Sequence, residues 1–76
     1  MEKDKILLHL FLEREDLREK ISGAKKELEM LKASHYYIGA PLNDNTLKFN
    51  NKQLYYLKKN LDIVEYVLDI LENGYN

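Results

Sequence analysis

Two histidines, a row of acids and a cluster of tyrosines and lysines hold whatever chemistry this chain could do. His9 precedes Glu13 by four residues, a spacing that sets two ligands on one side of a helix and could begin a metal site. Such a site needs further His or Cys ligands, and the other histidine, His35, is distant while cysteine is absent. A partly buried structural histidine is therefore the reading of His9; inside an interface its charging between about pH 6 and 7 would oppose assembly. Asp62, Glu65, Asp69 and Glu72 recur at helical spacing. Paired carboxylates do acid–base work when burial separates their pKa values, but this period places them away from the apolar seam, as a solvated face.

The third constellation is His35, Tyr36, Tyr37, Lys48, Phe49, Lys52, Tyr55, Tyr56, Lys58 and Lys59. Aromatic faces stack on bases and lysines neutralise phosphate, the chemistry of nucleotide or single-strand binding. Tyrosine clusters equally build protein interfaces. Lysines outnumber arginines ten to two, which supplies bidentate phosphate or base recognition weakly. His35, Tyr36, Tyr37, Lys48, Lys52, Tyr55 and Lys58 are the residues expected to bind a partner or ligand. No Ser/His/Asp set or glycine-rich phosphate loop accompanies them, and Gly39-Ala40-Pro41 is a lone turn. The expectation is a non-enzyme with no catalytic residue, no metal and no cofactor.

The elements that position these residues follow from periodicity. Leu7, Leu10, Leu17, Ile21, Ala24, Leu28 and Leu31 alternate steps of three and four, interrupted by Arg14, which predicts a helix over about 3–33. Asp16–Lys20 and Lys25–Glu29 add opposite charges at i,i+4. Gly23 is either a tolerated helical glycine or a point of close backbone approach. Leu54, Leu57, Leu61, Val64, Leu68 and Leu71, with Tyr75 in phase, predict a second helix over about 51–72, capped by Asn50 or Asn51 and stopped at Asn73-Gly74. The connection, about 34–50, has aromatic and β-branched residues around a turn-rich centre, so it reads as an ordered loop or a small β-hairpin. The fold class expected is all-α: an antiparallel two-helix hairpin in one domain, 1–76. With a β-hairpin entered by Tyr37-Ile38-Gly39, this layout resembles a prefoldin subunit, a likeness of topology alone.

Two helices do not use all the apolar residues. Tyr56, Ile63, Val67 and Ile70 form a second stripe on the second helix, joined by Tyr66. On the first, Ile6, Leu7, Leu8, Leu10, Phe11 and Leu12 are apolar nearly all round. At 1.5 Å per residue the first helix is ~46 Å long and the second ~33 Å, so the second runs out near residue 12 and leaves that segment overhanging. A large exposed apolar patch is rare on a monomer, and a chain this short needs a disulfide, a metal or a partner copy. A homo-oligomeric bundle is therefore expected, with Leu7, Leu8, Phe11, Leu12, Tyr56, Ile63, Val67 and Ile70 at its interface. The alternative is a first helix that kinks at Gly23 and folds back on itself.

Composition bounds the rest. Seventy-six residues with net charge −1, 33% of them charged, describe one small domain without the bulk positive charge of a nucleic-acid or anionic-membrane binder. No run approaches the ~18 apolar residues of a membrane span. Met1-Glu2-Lys3-Asp4 shows neither a basic n-region nor a cleavage site, so a cytoplasmic protein is expected. Lys, Asn, Ile and Tyr supply 28 of the 76 residues, the usage of an AT-rich genome such as that of a low-GC bacterium or its phage. The functional expectation is a helical homo-oligomer that binds another protein, in its concrete form a phage or mobile-element inhibitor of a host or defence protein acting in the host cytoplasm. A second expectation is an oligomer that sequesters a small phosphorylated, nucleotide-type signal between subunits; a third is a structural subunit of a larger particle.

Overall fold

The computed structural model describes residues 2–74. Two helices, α1 (Glu2–Ile38) and α2 (Asp44–Asn73), fold back on one another. Arg18 on α1 reaches Glu65 late on α2 at 3.5 Å, while Lys20, Gly23 and Glu27 share a groove with Gln53 and Leu57. The pairing is therefore antiparallel. The Cα trace measures 55 × 19 × 15 Å, a rod whose long axis equals the ~55 Å expected of α1's 37 residues.

The seam read from the heptads is the seam that packs. Leu17, Ile21, Leu28 and Leu68 are buried, and Leu10, Ala24, Leu31, Leu54, Leu57, Leu61, Val64 and Leu71 are half-buried beside them. Each fully buried aliphatic contributes ~1.5–3 kcal/mol, so four give a thin core. Two polar residues interrupt it. Arg14 is half-buried, its guanidinium 5.0 Å from the centre of the Phe11 ring, and Asn50 is buried outright. On the wet side Asp16 accepts from Lys20 at 2.9 Å, and that hydrogen bond, with the carboxylate's charge, holds the Lys20 ammonium above its usual pKa.

Both helices are longer than the sequence reading set them, at the expense of the connection. α1 continues past residue 33 to Ile38, and α2 begins at Asp44 rather than near 51. Among the described residues there is no strand, so the β-hairpin is corrected to helix, and with it goes the likeness to a prefoldin subunit. The cap is Asn43, whose side chain accepts from Asn45 N–H at 2.8 Å, and not Asn50 or Asn51. The reason lies in phase: Leu47 stands seven residues before Leu54, and with Asn50 it carries the α2 seam backward by two further turns. Packing along that seam outweighs the strand preference of the flanking aromatics.

The remaining connection, 39–43, turns at Gly39, whose φ of +66° belongs to the left-handed region where glycine carries no Cβ penalty. At the far end Gly74 closes α2 at φ +76°, donating to the Ile70 carbonyl at 2.7 Å. α1 passes through Gly23 unbroken, which removes the kinked alternative, and a Cβ there would meet nothing within 4 Å. Gly23 is a tolerated glycine. α2, with 30 residues against the 37 of α1, extends further along it than expected, so the overhang shrinks to about the first seven residues of α1. Tyr75, placed in phase with the seam, lies outside the described residues.

Candidate functional site

Lengthening both helices turns the connection into a blunt aromatic tip. Tyr36, Tyr37 and Ile38 close α1 and are 80%, 79% and 78% exposed. The two tyrosine rings meet edge to face, 4.9 Å apart at 82°, an arrangement that fixes each ring against the other. His35 has a local task. Its Nδ1 lies 2.9 Å from the Ala40 carbonyl; a carbonyl can only accept, so Nδ1 donates and the imidazole ties the turn to the end of α1. The Ala40 N–H donates back to the Ser34 carbonyl at 3.3 Å.

On α2 the expected binding residues are all exposed but fan out around the helix. Phe49, Lys52, Gln53 and Tyr56 line an open, mostly apolar cleft of about 330 Å³. Tyr55 faces elsewhere, packed edge to face on Tyr56 at 5.6 Å and covered by the Lys59 ammonium 5.5 Å from its ring centre. Lys52 and Lys58 stand six residues apart, about 120° of helical rotation, so they do not converge on one ligand. Of the seven residues expected to bind, Lys52 alone lines the cleft; His35, Tyr36, Tyr37, Lys48, Tyr55 and Lys58 do not. Phe49 and Tyr56, which belong to the wider constellation of aromatics and lysines, do line it. Ile38 and Gln53 were outside that constellation, and the place of Ile38 directly after Tyr36-Tyr37 was the signal that could have found it.

The residues expected at an oligomer interface divide in two. Tyr56 and Ile63 are exposed and Val67 and Ile70 half-buried, so the second stripe of α2 is open in the single chain. Leu7 and Phe11 are half-buried against the hairpin, whereas Leu8 and Leu12 are 61% and 62% exposed. His9 is exposed in the single chain, not partly buried as its place among apolar residues suggested. Asp62, Glu65, Asp69 and Glu72 are exposed as a solvated face; Asp69 accepts from Asn73 at 2.6 Å. No three His, Asp or Glu side chains gather into a metal-binding group among the described residues. Among the described residues no helix is long and apolar enough to cross a membrane. Comparison with family models, with curated proteins and with solved structures finds no match for this chain.

Proposed function

We propose that this chain is a non-enzymatic binding protein: a helical hairpin that self-associates and grips a protein partner with its tip. The observation that carries the reading is the apolar surface the two-helix fold leaves open, richest at Tyr36, Tyr37 and Ile38. Folding has placed these side chains where they stabilise nothing internal, and contiguous exposed apolar groups mark interaction sites. Tyrosine suits such a surface, offering a large contact area with few rotatable bonds and a hydroxyl for the rim. Lys48 and Lys52, close behind, favour a partner with an acidic edge and speed its capture. Action of this kind is stoichiometric occlusion, the mode of an inhibitor or adaptor.

The test is an affinity capture with the full chain, beside the variant Tyr36→Ala with Ile38→Ser. One stoichiometric protein held by the native chain and lost with the variant, at unchanged helix content and mass, is the expected result. A variant that holds the same protein equally well overturns the assignment of the tip. A second reading, a nucleotide-type ligand, draws on the cleft of Phe49, Lys52, Gln53 and Tyr56, where two rings stand beside an ammonium and an amide. Absorbance at 260 nm that survives purification and disappears with Lys52→Ala would support it.

A further inference from the structure

The second stripe of α2 faces about 100° around the helix from the seam, and α1 leaves much of it open. Phe49, Tyr56 and Ile63 are exposed along it, and Val67 and Ile70 half-buried. Surface area says that the single chain exposes enough for a partner of protein size. A folded monomer of 9.1 kDa ordinarily exposes about 4,900 Å², whereas this rod exposes 6321 Å². The excess, about 1,400 Å², is larger than the roughly 800 Å² each partner loses in an interface of ordinary size.

Charge says what the occupant is. From Lys48 to Lys59, α2 carries four lysines and no acid; from Asp62 to Glu72 it carries four acids and no base. α1 follows the same division. Residues 20–59, the half of the rod nearest the turn, hold eight lysines against three acids, and the remainder holds ten acids against four bases. The groove shared by Lys20, Gly23, Gln53 and Leu57, and the Arg18–Glu65 pair, put the two boundaries at one level along the rod. A chain with a net charge of only −1 is thus positive at one end and negative at the other.

We propose that the stripe is covered by a second copy of this chain, α2 against α2 and antiparallel, about a two-fold axis near Asn60. This rests on the self-association reading and gives it a geometry. Antiparallel pairing sets Phe49 level with the second copy's Ile70, and Tyr56 level with its Ile63. The lysine half of each α2 then runs along the acidic half of the other. Parallel pairing stacks lysines on lysines and acids on acids. The two-fold contact is isologous and closes at two chains. A partner of one charge sign would satisfy only half the stripe.

The absence of native cysteine makes the test clean. In Asn60→Cys two thiols meet across the axis, whereas in Gln53→Cys they lie about 21 Å apart along the antiparallel pair, beyond the ~7 Å Cα separation a disulfide spans. Under mild oxidation Asn60→Cys is expected to give at least ten-fold more linked dimer than Gln53→Cys. Sedimentation of the native chain is expected to give twice the chain mass, with a dissociation constant that rises at least ten-fold in Lys52→Glu with Lys59→Glu. Equal linkage of the two cysteine variants, or none by Asn60→Cys in a chain that still sediments as a dimer, overturns this geometry and leaves self-association standing. A monomer at micromolar concentration overturns both.

Discussion

Asn50 shows how one residue can be misread by its type and explained by its phase. Asparagine is a good N-cap, and the sequence 43-Asn-Asp-Asn-45 with 50-Asn-Asn-51 offers several. The heptad, continued back through Leu47, instead places Asn50 in the seam, where it is buried with its Nδ2 unpaired. An amide buried without a partner costs ~1–3 kcal/mol. Asn50→Leu is therefore expected to raise stability by about 1 kcal/mol or more, seen as a higher urea midpoint at unchanged slope. Asn50→Asp keeps the shape and adds a carboxyl whose charged form is opposed by burial, so its folded pKa lies above the unfolded ~3.9. Its stability should hold near native at pH 3 and fall as pH rises through 4 to 6. A variant with no pH dependence across that window would show that Asn50 is wet.

Neither helix boundary next to the turn was legible. On α2, Leu47 and Asn50 continue the seam against the turn and strand signals around them; on α1, Tyr36, Tyr37 and Ile38 favour strands and are exposed, yet the helix runs through them to the turn at Gly39. The seam itself was legible from Leu7 to Leu71, since a 3,4 spacing of aliphatics admits few other structures. The cap was not, and it separates two otherwise similar asparagines. Asn43→Ala removes the acceptor for Asn45 N–H at 2.8 Å and should cost ~1 kcal/mol. Asn51→Ala, on the exposed helical surface, replaces a poor helix former by the best and should leave stability equal or slightly higher. Thermal melts of the two, with the order reversed, would return the start of α2 to residue 51. The dispersal of Lys52, Tyr55 and Lys58 was legible by contrast: all three fall inside the helix read over 51–72, and steps of three residues wind them around it, while Lys48 alone moves from the connection onto α2.

The whole molecule is a rod because two helices can share only one seam, and the rest of each circumference must face water or another chain. Composition hid the consequence. A net charge of −1 and 45% apolar residues describe an ordinary small domain, but they average over a charge separation along the rod and over a stripe that the fold leaves uncovered. Four buried aliphatics are a slender basis for independent stability. If association supplies the remainder, folding and assembly are one equilibrium, and the unfolding midpoint must depend on protein concentration. For a dimer of this length a tenfold dilution should lower the thermal midpoint by about 5 °C. High salt should lower the midpoint at every concentration, since screening weakens the lysine-to-acid pairing along the rod while leaving the apolar contacts in place. A midpoint that stays constant over a hundredfold dilution requires that the thin seam alone holds the hairpin, and the open stripe of α2 would then serve a partner other than itself.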